Sequence, residues 1–174
     1  MSIIEQDLNH IWHPCMQMKD FEQCPPVIVN SAQGSMLDTN IGPLIDAQSS
    51  WWCKSLGHQH PDIKKAIDVQ LSKFEHVISA NCTHELMAHF GQKIESITGL
   101  QHVFFASDGS CAVEIALKLA IQKEHILKEK PRKTIIKLEN AYHGETLATL
   151  AVSDVSLYKS AFSQFTLPTF TIKN

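Results

Sequence analysis

No apolar run in this 174-residue chain approaches the roughly 20 residues that a bilayer-spanning helix needs, so no membrane contact is expected. The opening stretch, Met1 to Asn9, is polar, carries Glu5 and Asp7, and lacks the basic start and apolar centre of a secretory signal. A net charge of −3 leaves no basic footprint for nucleic acid or an anionic membrane. Paired cysteines are missing as well. The five cysteines, at 15, 24, 53, 82 and 111, are scattered, odd in number and form no CxxC pair. That argues against a disulfide framework or a structural zinc site, and reduced thiols in a cytoplasmic protein are expected. Internal repeats and low-complexity segments are absent.

What remains is the composition of an ordinary globular chain, 44% hydrophobic and 19% charged. Residues 1–26 form an aromatic- and proline-bearing arm, in which Pro14 ends any early helix because the residue before a proline disfavours the helical region. Val27–Val29, Ser35–Asp38 and Pro43–Asp46 read as three short strands, with turn residues at 30–34 and 39–42, and imply a small antiparallel meander. Pro61 suits the first turn of a helix, and Ile63, Ile67, Leu71 and Phe74 give that helix one apolar face. Thr83 is a plausible cap for a second amphipathic helix, with Leu86, Phe90, Ile94 and Ile97 facing a core and Gly99 as its stop.

From residue 102 the pattern alternates strand, turn and helix, the signature of βαβ units on a parallel sheet. A strand is expected at 102–106, a helix from 110 to about 129, a strand at 134–138, a helix from about 145 to 152 and a further strand region at 165–172. The turn at Ser107-Asp108-Gly109-Ser110 leads into a helix whose first amides and dipole favour an anion, and a phosphate would suit it. An ordinary helix cap would use the same residues. His58 and His60 flank a single residue with no third ligand at useful spacing, so no metal is expected. Glu114, on the helix after the turn, is read as an ion-pair or cap residue, not an acid–base group.

Several segments together carry a resemblance. They are His10-Ile11-Trp12-His13-Pro14 with Gln17–Asp20, Ser49-Ser50-Trp51-Trp52, Gly57-His58 with His60-Pro61, Thr83-His84, Phe104–Glu114, and Tyr142-His143-Gly144-Glu145-Thr146. In order and spacing, over about residues 8–155, the chain resembles the class III aminotransferases that use pyridoxal 5'-phosphate. The Trp-His-Pro arm and double Trp resemble the biotin-synthesis branch of that family. The resemblance implies a fold-type-I α/β architecture. Residues 1–60 would form an N-terminal arm and small-domain meander, and 61–174 an incomplete beginning of the large parallel-sheet cofactor domain.

The resemblance further implies that Gly109 and Ser110 grip the cofactor phosphate. Tyr142 would stack on the pyridoxal ring and touch substrate, and Trp51 would line the substrate pocket with Trp52 packed behind it. Cys15 stands where the family form carries a substrate-contacting tyrosine, and Asp108 stands where a serine precedes the glycine. The implied reaction moves an amino group from S-adenosylmethionine to 8-amino-7-oxononanoate in a homodimer. The family's cofactor-anchoring lysine is expected beyond Asn174, since Lys118 and Lys137 do not match its motif, so the chain alone is expected to be an inactive portion. Another class III ω-amino-acid aminotransferase, a non-catalytic fragment of a split gene and a generic phosphate-binding α/β domain are the alternatives.

Overall fold

The computed structural model describes residues 1–127 and 131–173. They fall into two compact units, Met1–Thr83 and His84–Asn174.

The first unit opens with helix α1 (Ile3–His10), begun by a reciprocal cap in which Ser2 and Glu5 satisfy each other's backbone amides. It stops at Ile11, which is extended, three residues before Pro14. The arm folds back on itself. His13 Nε2 lies 2.6 Å from Asp7 Oδ2, and its ring meets the buried Phe21 edge-on at 4.9 Å.

The meander is present, with β1 (Val29–Gln33), β2 (Met36–Thr39) and β3 (Leu44–Ile45) antiparallel in that order. Its first strand lies later than the residue pattern implies. Residues 31–33, expected in a turn, pair with β2, with the register shifting at Asn30, and the reversal is confined to Gly34 and Ser35 between the partners Gln33 and Met36. A two-residue hairpin needs a positive φ, and Gly34 supplies it at 56°. The register is therefore set by the glycine, and the apolar Val27 and Ile28 are left outside the ladder.

The next segment, α2 (Ser49–Trp52), is one turn of left-handed helix. Ser49, Ser50, Trp51 and Trp52 all have φ between 47° and 67°. Such a conformation costs an L-residue roughly 1–2 kcal/mol, so it must be held by other contacts. Helix α3 (Pro61–Leu71) follows with the proline in its first turn, as expected.

The second unit begins with α4 (Glu85–Thr98). Its cap is His84, whose Nδ1 accepts from the Met87 amide, and not Thr83. The imidazole competes successfully because it sits one residue closer to the first helical turn. Gly99 ends the helix in the left-handed region at φ 73°. The apolar faces of α3 and α4 exist, but Ile63, Ile67, Leu71, Leu86, Phe90 and Ile97 are exposed. Periodicity places apolar residues on one side of a helix, whereas burying them takes an opposing surface, which the described residues do not provide.

The strand expected at 102–106 does not form; the segment carries no ladder pairing, and Phe104 is 74% exposed. An apolar run becomes a strand only when a neighbour satisfies its backbone. Phe105 instead stacks on Phe90 at 5.8 Å. Helix α5 (Gly109–Leu127) then runs for 19 residues, and its expected end near 129 lies outside the described residues. β4 (Ile135–Leu138) leads through α6 (Leu147–Val152), α7 (Ser156–Lys159) and a 3₁₀ segment to β5 (Thr169–Ile172), which pairs with β4 in parallel. Of the strand region expected at 165–172, only 169–172 pairs as a strand; Phe165 still belongs to the 3₁₀ turn.

This βαβ crossover holds the tightest packing. Thr149, Leu150, Ala151, Val152 and Ser153 are buried, and Lys137 from β4 lies beneath them. Its ammonium donates to Ser153 O at 2.7 Å and to Asp154 Oδ1 at 2.6 Å, which lets a cation be buried without being left unpaired.

Candidate cofactor site

In the second unit, the structure brings the turn before α5 against the loop that carries Tyr142. Gly144 is the point of contact. It is buried, its φ is 116°, and a Cβ placed on it would lie 2.1 Å from Ser110 Oγ. Only a glycine allows the Tyr142 loop to close on the Ser110 hydroxyl. The loop is fixed from below by Ser153, whose Oγ accepts from the His143 amide at 2.9 Å, and by the Asp154 amide donating to Ala141 O at 2.7 Å. Glu114 makes the second link between the two elements. Its carboxylate accepts from Thr146 Oγ1 at 2.5 Å and from the Ala148 amide at 3.2 Å, so α5 caps the first turn of α6. The cap role read for Glu114 is the one it plays.

Asp108 caps α5, with Oδ1 accepting from the Cys111 amide at 2.8 Å and Oδ2 from Ser107 Oγ at 3.0 Å. These bonds, the Cys111 amide foremost, hold its carboxyl below the usual carboxylate range. The charge at this turn is therefore negative on the helix side.

A phosphate fits the remainder of the turn. Gly109 has nothing within 4 Å of where a Cβ would stand, so its backbone can be approached closely. Ser110 adds a hydroxyl, and the 19-residue α5 directs its dipole to the same place. The ionised Asp108 beside it subtracts from the attraction. Tyr142 is 55% exposed, its hydroxyl donates to Glu145 Oε1 at 3.0 Å, and its ring meets Tyr158 edge-on at 5.9 Å. The ring is thus held against Tyr158 while the residue stays accessible.

Trp51 and Cys15 lie in the first unit, on different segments. Cys15 is exposed in a turn at φ 60°. Trp51 and Trp52 are both exposed and, with Gln48, line a shallow cavity of about 310 Å³. In extended backbone neighbouring side chains point to opposite faces, which would set one indole behind the other. In a helical turn they are about 100° apart, so both border one cavity.

A polar cluster that the residue pattern does not signal adjoins the left-handed turn. Asp46 accepts from the Ser50 amide at 2.9 Å, from Ser50 Oγ at 2.7 Å and from His58 Nε2 at 2.8 Å. These contacts, led by the Ser50 amide, push its carboxyl down to about 2. His58 is anchored in turn by two backbone bonds to Gly34, and Gly57 lies so close that a Cβ would stand 3.0 Å from the Gly34 Cα. Nothing in the spacing of Asp46 and His58 signals their pairing; the meander creates it. Among the described residues, no group of three or more His, Cys, Asp or Glu could hold a metal, and no helix is long and apolar enough to cross a membrane.

The chain belongs to the class III aminotransferase family, whose pattern it matches over residues 17–174. Members of this family work with pyridoxal 5'-phosphate, and the structure shares their α/β fold. More particularly, it is similar to the adenosylmethionine-8-amino-7-oxononanoate aminotransferase of Helicobacter pylori, 38% identical over 95% of this chain and 38% of the relative. The crystal structure of the enzyme of that name from Methanocaldococcus jannaschii superposes with a TM-score of 0.92 at 30% identity, covering 99% of this chain and 40% of that one. An ω-transaminase from Pseudomonas jessenii, solved in complex with PMP, shares the fold at a TM-score of 0.85 and 21% identity, over 99% of this chain and 39% of its own. The chain thus spans about two fifths of the length of the relatives it matches.

Proposed function

We propose that this chain supplies the phosphate grip, ring platform and part of the substrate wall of a pyridoxal-phosphate aminotransferase of biotin synthesis. The donor would be S-adenosylmethionine, the acceptor 8-amino-7-oxononanoate and the product 7,8-diaminononanoate, in a cytoplasmic homodimer. In this reading residues 1–60 belong to the arm and small domain, and 61–174 begin the cofactor domain.

The observation that carries the proposal is the closure of the Gly144 loop on Ser110, which puts a helix-start anion site and an accessible aromatic ring on adjoining elements. Pyridoxal phosphate, when bound, supplies an electron sink that lets an amino group pass between carbon skeletons. The Gly109 backbone and the Ser110 hydroxyl would bind its phosphate, and Tyr142 would bear on its ring. Trp51, and Cys15 in the place of the family tyrosine, would face substrate. Lys137 is committed to Ser153 and Asp154, so it is not assigned as the lysine that anchors the cofactor.

Titrating the purified chain with pyridoxal 5'-phosphate, and with pyridoxal lacking the phosphate, tests the reading. Binding is expected to require the phosphate and to weaken about tenfold in Ser110→Ala, the loss of roughly one charge-assisted hydrogen bond. Borohydride is expected to fix no cofactor at a single lysine. Equal binding of the two compounds, or a stoichiometric lysine adduct that supports transamination, would overturn it.

A further inference from the structure

The motif Ser49-Ser50-Trp51-Trp52 enters the function as a pair of indoles, but the residues that give the pair its shape lie elsewhere. Four successive residues without the freedom of glycine hold a left-handed turn. Its internal bonds, Trp52 N to Gln48 O and Cys53 N to Ser49 O at 2.9 Å each, would be available to a right-handed turn as well and so do not select the hand. The contacts that do select it come from outside the turn. Asp46 reaches both the amide and the hydroxyl of Ser50, and His58 closes on the same carboxylate. Asp46 is itself fixed through its amide to Ser35 O at 2.8 Å, beside the hairpin glycine to which His58 is bridged.

We propose that Asp46, Ser50 and His58 form a positioning clamp that holds the left-handed turn and so places Trp51 and Trp52 side by side on one cavity. None of the three need touch substrate. Their effect is on which faces the two indoles present, and hence on which apolar or aromatic part of a ligand the cavity accepts. The consequence for substrate choice rests on the reading of Trp51 as a substrate wall. The clamp itself does not, and its test uses neither cofactor nor substrate, so the two can fail separately.

The test is spectroscopic. Trp12→Phe leaves the pair as the only indoles in the chain, and adjacent, fixed indoles give a near-ultraviolet circular dichroism signal that averages away when they move. In that background Asp46→Asn removes the carboxylate charge and turns the oxygen shared by the Ser50 hydroxyl and His58 into a donor, so both bonds lose their charged acceptor. The pair signal is expected to fall by about half or more, with the far-ultraviolet spectrum unchanged. Adding Ser49→Gly, which removes the side-chain cost of a positive φ, is expected to restore part of the loss. A general loss of packing would not be rescued that way. If Asp46→Asn unfolds the chain, Ser50→Ala decides, since it deletes the hydroxyl and keeps the amide bond. A partial fall in the pair signal with an intact fold supports the clamp. An unchanged signal in Asp46→Asn or in Ser50→Ala, or a loss that Ser49→Gly leaves untouched in a folded chain, overturns it.

Discussion

The turn at 107–110 and the turn at 49–52 each present a few residues at the surface, yet opposite physics holds them. The first is sterically determined. Gly144 leaves room for Ser110, and α6, behind it, is the best-buried helix described. Its backbone is relaxed and its polar bonds are short-range caps. The second has no buried side chain in the turn, bears positive φ at four positions, and depends on one carboxylate with three donors. A packed site resists polar substitution nearby but fails when one volume changes. A clamped site tolerates volume changes but fails when one acceptor is lost.

The largest expected effect breaks the packed side. Gly144→Ala puts a methyl group into the Ser110 hydroxyl at a φ that L-residues rarely adopt, and is expected to cost about 2–3 kcal/mol by urea unfolding. It should also abolish phosphate-dependent cofactor binding. A wild-type midpoint would show that the loop is not sterically determined. Glu114→Ala is milder: it removes the cap of α6 and leaves α5 intact, an expected loss of about 1 kcal/mol. Ser49→Gly acts on the clamped side with the opposite sign. Relief of a left-handed serine, less the extra backbone entropy of glycine, should stabilise the chain by about 0.5 kcal/mol. Destabilisation would show that the turn is not strained.

Acid should give the smallest change over the ordinary range and separates the two sites by pH. Asp46, faced by Ser50 and His58, is held down to about 2. A carboxyl lowered in the fold stabilises it above the unfolded value, near 4, and that contribution is lost as the pH falls through the folded value. In the Trp12→Phe chain the indole-pair signal is expected to hold from pH 7 to about 4 and to fall only on approach to 2. Loss centred at pH 4 would mean that the clamp does not protect Asp46.

Local chemistry was legible in the residues. Pro61 at the start of α3, Gly99 at the end of α4, the start of α5 and the capping part of Glu114 each depend on interactions within a few residues, or on a side chain whose type limits what it can do. The motif order from the Trp-His-Pro arm to Tyr142 also identified the family. Partnership was not legible. The apolar run at 102–106 reads as a strand but has no ladder, and the apolar faces of α3 and α4 read as core but stay exposed. Hydrophobicity records what a segment can bury and says nothing of what covers it. His58 shows the same limit in polar form, because its partner Asp46 is remote until the hairpin closes.

By itself, then, the sequence determined the start of α3, the end of α4 and the family, because these follow from torsional preference and short motifs. The tertiary structure alone decided that Gly144 abuts Ser110, and that a carboxylate twelve residues from its histidine joins it to the left-handed turn of the two tryptophans. Those are contacts between segments, and no local energy term encodes them.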